Sequence, residues 1–124
     1  MICVTIVQTK DKQIRAFQVS GHAGFAESGQ DIVCSAVSAL TITTINALEV
    51  YTSQPFEVDQ DEEDGIITVN FLDDLSHDAE LLMKSLILGL RSIENEYNKK
   101  DSLSLHALKT HTEQLLLLMI RSKR

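Results

Sequence analysis

Gly21-His22-Ala23-Gly24-Phe25-Ala26-Glu27-Ser28-Gly29-Gln30-Asp31-Ile32-Val33-Cys34-Ser35-Ala36-Val37-Ser38 is the stretch on which the reading of this chain turns. Three of the chain's five glycines, Gly21, Gly24 and Gly29, fall within nine residues, a density that marks a loop with unusual backbone angles. Apolar spacing of three and four then begins, so a helix follows the loop. Asp31 reads as its N-cap, which makes Ile32, Val33 and Cys34 the first three helical positions. Unpaired N–H groups and the helix dipole favour an anion there, the setting in which a cysteine acts as a thiolate. His22 lies twelve positions upstream across the loop, close enough along the chain to fold back as a base. Against this stand plainer readings: Cys34 as a small buried apolar residue and His22 as a polar loop residue bonded to a carbonyl.

Upstream of the loop, residues 2–9 alternate Ile2, Val4 and Ile6 with Cys3, Thr5 and Val7, which is the period of a strand. Lys10-Asp11-Lys12 makes a turn, and residues 13–20, with Ile14, Ala16, Phe17 and Val19, form a second, antiparallel strand that ends at Gly21. Cys3 is then a structural strand thiol. Downstream, Ile32 to about Thr52 is helical, with Val33, Ala36, Val37, Leu40, Thr44, Ala47, Leu48 and Tyr51 on one face. Cys34 is off that face, on an edge shared with Ser38 and Ile45, and Ile42 lies opposite the core stripe. Pro55 ends the helical stretch. Residues 56–60 and 66–72 read as a hairpin around an acidic turn that closes at Gly65. Ser76 reads as the N-cap of a second helix with Asp78 and Glu80 in its first turn. Its core face is Ala79, Leu82, Met83, Leu86, Leu90, Ile93 and Tyr97, with Ile87 and Leu88 as a second apolar edge.

The order is ββαββα, an α+β two-layer fold with two long helices on a four-stranded sheet. Residues 102–108 alternate Leu103, Leu105 and Ala107 with Ser104 and His106, the pattern of a short edge strand. Residues 112–120 have the composition of a helix. On this reading, residues 1–100 are one domain and residues 101–124 a C-terminal extension.

Composition narrows the function classes. At 124 residues, with 44% hydrophobic residues, the chain can bury a real core. A net charge of −7 argues against nucleic acid as a partner, because phosphate contacts require clustered Lys and Arg. Glu57, Asp59, Asp61, Glu62, Glu63 and Asp64 fall within eight residues, either a solvated turn or an electrostatic guide for a basic partner. The chain opens directly into a strand pattern, and its longest uninterrupted apolar run, Leu115 to Ile120, is far short of a membrane span. These features lead us to expect a cytoplasmic protein with Cys3 and Cys34 both reduced and no membrane partner. His77, His106 and His111 read as surface residues. The spacing of His106 and His111, five apart, suits no shared metal on a helix, and neither metal nor cofactor is called for.

Gly21-His22-Ala23, followed by Gly29-x-Asp31-Ile32-Val33-Cys34-x-Ala36-Val37-Ser38, resembles the signature of the ribosomal-processing cysteine proteases, the Prp family. The resemblance covers about residues 1–100 and leaves residues 101–124 outside it. It implies that His22 and Cys34 form a catalytic dyad. It further implies that the substrate is the precursor of ribosomal protein 27 of the bacterial large subunit, trimmed of a short N-terminal leader at an apolar, aromatic-containing sequence. Gly21, Gly24, Phe25 and Gly29 would then belong to a substrate-binding loop, and Ser38 would present its hydroxyl to the sulfur or the substrate. Asp31 keeps two readings, N-cap or hydrogen-bond partner that fixes the tautomer of His22. Family members resemble dimers, and Ile42, Ile45, Ile87 and Leu88 are apolar positions that the core faces leave unused, so a homodimer is expected. The loop from Ala23 to Gln30 is expected to close on substrate as a lid. A non-enzymatic ribosome-associated adaptor and a different thiol-dependent hydrolase are the alternatives.

Overall fold

The structure is a computed structural model that describes residues 2–21, 30–97 and 103–109. Its elements run β1 (Ile2–Gln8), β2 (Ile14–Ser20), α1 (Gln30–Tyr51), β3 (Phe56–Asp61), β4 (Ile66–Phe71), α2 (His77–Tyr97) and β5 (Leu103–Lys109). The strands form one five-stranded sheet in the order β3-β4-β2-β1-β5. The first four strands pair antiparallel, and β5 joins parallel to β1, with Ile2 opposite Leu103 and Gln8 opposite Lys109. The edge strand expected over 102–108 is therefore present, and the sheet runs on into the segment set aside as an extension. Residues 110–124, including the helical stretch expected at 112–120, lie outside the described residues.

Both helices lie on one face of the sheet. Val4, Ile6, Phe17, Val19, Val69 and Phe71 from the strands close one core with Val33, Val37 and Leu48 of α1 and Ala79, Met83, Leu86 and Leu90 of α2. Leu40 and Gly89 mark where the helices come together, since a Cβ on Gly89 would stand 2.9 Å from Leu40 Cδ1. Ser76 caps α2 as its sequence position suggested: its Oγ accepts from Ala79 N at 3.2 Å, with Asp78 and Glu80 in the first turn. Between β1 and β2, Thr9 and Gln13 close the turn by two hydrogen bonds, and Lys12 takes a left-handed φ of 65°.

The structure corrects several residue assignments. Tyr51, expected on the core face, is 76% exposed, because it is the last residue of α1 and lies beyond the edge of the sheet. Thr41, which the sequence reading left off the core face, is fully buried. Ile45 and Ile87, expected to be unused by the core, pack against it, which leaves Ile42 and Leu88 as the solvent-facing members of that set. α1 begins at Gln30, so Asp31 lies inside the first turn of the helix and not ahead of it. The stretch Ile32–Tyr51 is also long and apolar enough to cross a membrane, with a mean hydropathy of 1.5. The serines and threonines scattered through it hid this from a search for unbroken apolar runs. In the fold it is a core helix, with Val33, Val37 and Leu48 closed onto the sheet.

Candidate active site

Register places the candidate site at one end of the sheet. Ser20, the last residue of β2, pairs with Cys3 of β1 and Ile66 of β4, and Ile66 pairs with Asp61 of β3. One row of residues thus runs across the sheet, and three features leave it on the same side. At Gly21, φ is 85°, a region in which a Cβ is strained, and this glycine turns the chain out of the sheet. His22, Ala23, Gly24, Phe25 and Gly29 follow and lie outside the described residues. The chain returns as α1, whose first three turns carry Asp31, Cys34 and Ser38. Beside them the β3–β4 turn projects Asp61, Glu62, Glu63 and Asp64 from the same end, held by Asp64 N donating to Asp61 Oδ1 at 3.1 Å.

Cys34 is half-buried and packs against the core cluster, and Ser38, one turn further along the same edge, is half-buried too. Cys34 therefore sits at the margin of the core. Cys3 is also half-buried, but its alternation along β1 puts it on the sheet face opposite the helices. The sheet separates the two thiols. Among the described residues, no group of three His, Cys, Asp or Glu side chains comes together to hold a metal ion.

Two open clefts, of about 430 and 410 Å³, lie at the other end of α1. Leu48, Thr52, Pro55 and Phe56 line one, and Tyr51, Ser53, Ser76 and Asp78 the other. They are some 27 Å of helix away from Cys34, at about 1.5 Å per residue, and neither reaches the chemistry. The sequence placed Cys34 and Ser38 on one edge of α1, where the structure has them. It left the acidic run undecided between solvated turn and guide, because strand register alone brings that turn to the cysteine's end of the sheet.

The comparisons with known proteins establish the family. The family described as cysteine protease Prp matches residues 1–101. The ribosomal processing cysteine protease Prp of Bacillus subtilis (strain 168) is 37% identical over 107 residues, which cover 83% of this chain and 94% of that protein. The protein of the same name from Staphylococcus aureus (strain Mu50 / ATCC 700699) is 30% identical over 104 residues, covering 84% of this chain and 98% of its own length. The crystal structure of the essential ribosomal processing protease Prp from S. aureus in complex with a substrate peptide superposes with a TM-score of 0.80 at 28% identity, covering 86% of this chain and 99% of the other. With the matched family spanning most of the described sheet and both helices, the chain belongs to the Prp family of cysteine proteases.

Proposed function

We propose that this chain is the endopeptidase that removes the N-terminal leader from the precursor of ribosomal protein 27 of the bacterial large subunit, with Cys34 as nucleophile and His22 as its base. The observation that carries the reading is the placement of Cys34: half-buried on an early turn of α1, at the sheet end where Gly21 sends out the loop that holds His22. His22 takes the thiol proton, and the Cys34 sulfur attacks the scissile carbonyl. Free N–H groups in the first turn of α1 are the donors for the oxyanion, because the first N–H groups of a helix have no partner within it. Collapse of the tetrahedral intermediate expels the amine of the mature protein, which takes its proton from His22. Water then hydrolyses the acyl-enzyme with His22 again as base. Ser38 lies one helical turn from Cys34 and presents its hydroxyl to the sulfur or the substrate. Asp31, inside the first turn, serves as the partner of His22 in preference to the cap. Gly21, Gly24, Phe25 and Gly29 form the substrate loop.

The acidic β3–β4 turn at the same end of the sheet supports a basic substrate, as a ribosomal protein is, and such a substrate is made in the cytoplasm. A homodimer fits the solvent-facing apolar residues Ile42 and Leu88, which are 50% and 70% exposed. Light scattering at micromolar concentration should give twice the chain mass, and a monomer mass would remove this part of the proposal.

The decisive experiment is incubation of the purified chain with the precursor of its own ribosomal protein 27, with intact-mass detection of the trimmed product. Cleavage that disappears in Cys34→Ala supports the assignment. Binding without cleavage would make the chain an adaptor. Hydrolysis of thioesters without peptide cleavage would make it a different thiol hydrolase.

A further inference from the structure

The two faces of the sheet differ in what covers them. Among the described residues, both helices lie on one face, over Val4, Ile6, Phe17 and Val19. Alternation sends Cys3, Thr5 and Val7 of β1 to the other face, where Val7 pairs with Ala16, Thr5 with Gln18, and Gln18 in turn with Thr68. An antiparallel sheet with one face in water carries polar and charged residues there. This face departs from that pattern twice. Its positions on β1, β2 and β4 include no charged residue. Val7 is 0%, Ala16 1% and Thr68 2% exposed, although neither Val7 nor Ala16 belongs to the core under the helices. Gln18 Nε2 donates to Thr68 Oγ1 at 3.3 Å, so these polar groups are paired and tolerate an apolar cover.

The segment after β5 has the composition and the starting point to be that cover. β5 runs parallel to β1 and ends with Lys109 opposite Gln8, one position beyond Val7, so the chain leaves the sheet at the buried end of this face. Residues 110–124 then hold the apolar run from Leu115 to Ile120, followed by Arg121, Lys123 and Arg124. A run of that kind is apolar on every side and needs a surface to pack on. At the far edge of the sheet, β3 turns Glu57, Asp59 and Asp61 to the same face, and Glu57 is exposed. From β5 to β3 the sheet is about 19 Å wide, four spacings of about 4.8 Å, and the fifteen residues reach about 22 Å even when wholly helical.

We propose that residues 110–124 fold back over the helix-free face of the sheet. Leu115 to Ile120 pack on Val7 and Ala16, and Arg121, Lys123 and Arg124 meet the acidic side of β3. The two-layer fold becomes three layers, and the face opposite the helices is closed to other partners. Charge fixes the direction of the cover: the uncharged strands β1 and β2 take the apolar run, and the acidic edge strand takes the basic residues that follow it. The cover is independent of the proteolytic reading and stands or falls without it.

The test places the photo-reactive residue p-benzoylphenylalanine at Leu116, Leu117 or Leu118 in three otherwise intact full-length chains. After irradiation and digestion, mass spectrometry should find at least one of them attached to residues 2–8 or 14–20 of the same chain. Attachment only to the helices, a product of twice the chain mass, or no product at all would overturn the proposal. So would flotation of the unmodified chain with phosphatidylglycerol–phosphatidylcholine vesicles, which would assign the run to lipid. A thiol reporter checks the cover from beneath. Val7→Cys, in a full chain carrying Cys3→Ser and Cys34→Ser, should be alkylated by iodoacetamide at least about tenfold faster once Leu116→Asp and Leu118→Asp are added. Arg121→Glu with Arg124→Glu should raise the rate less, about twofold, because exposed ion pairs are weak. An unchanged rate in the aspartate variant would overturn the apolar contact, and an unchanged rate in the glutamate variant the contact with β3. If the aspartate variant does not fold, the attachment sites alone decide.

Discussion

The two ends of the sheet are built on opposite principles. At the end away from Cys34, one side chain ties the α1–β3 connection to the β4–α2 connection: Gln54, only 7% exposed, donates to Asp73 O at 3.2 Å and Asp74 O at 3.3 Å and accepts from Ser76 N at 2.7 Å. Arg15 Nη1 adds an ion pair to Asp74 Oδ1 at 2.6 Å, and Thr52 and Ser76 cap the helix termini around it. At the Cys34 end, a glycine with positive φ, a half-buried thiol and a turn of four acidic residues meet. Buried polar groups with all their partners rigidify an end, whereas exposed charge and glycine do not. Among the described residues, the fold thus concentrates its side-chain cross-linking at the end away from Cys34.

The strongest way to break this contrast is to separate activity from stability. Cys34→Ala should lower precursor cleavage by at least about a thousandfold, as loss of a nucleophile does, with little change in the urea midpoint. A large loss of stability would show that Cys34 is a core residue first. Gln54→Ala should do the reverse. It strands Ser76 N and two carbonyls, and should cost about 2–3 kcal/mol in urea unfolding while leaving the turnover of the folded fraction intact. Equal losses in both quantities would mean the two ends are coupled.

Smaller effects sharpen the picture. Thr41 is fully buried, and its hydroxyl has no partner among the described residues, so Thr41→Val, which exchanges that hydroxyl for a methyl, should stabilise by about 1 kcal/mol in the same measurement. A loss would reveal that the hydroxyl bonds within the helix. Gly89→Ala should change stability by less than about 1 kcal/mol: removing a glycine from a helix interior favours folding by about that amount, and Leu40 Cδ1, the end of a flexible side chain, must move aside. A much larger loss would show that Leu40 has nowhere to go.

What the sequence revealed follows the range of the interactions concerned. The β1–β2 and β3–β4 hairpins, the Ser76 cap and the edge strand were legible because alternation, turn residues and capping act over a few positions. The buried state of Thr41, the packing of Ile45 and Ile87, and the exposure of Tyr51 were not. Each depends on where a helix stops relative to the sheet, which no local pattern records. In the candidate site, Cys34 and Ser38 could be placed on one helical edge from spacing alone. That the acidic turn shares this end of the sheet depends on strand order, a property of the assembled fold.

The parallel pairing of β1 with β5 sets the order in which the molecule can assemble. Ile2 pairs with Leu103, its partner 101 positions later in the chain. Closing a loop of that size costs about 4 kcal/mol of chain entropy by the logarithmic rule, against far less for either hairpin. The hairpins and the helix layer should therefore form first, with β5 joining a sheet that is already built. During synthesis β1 keeps one open edge until nearly the whole described chain has been made, and the strand that closes it is the last of the described strands to be translated.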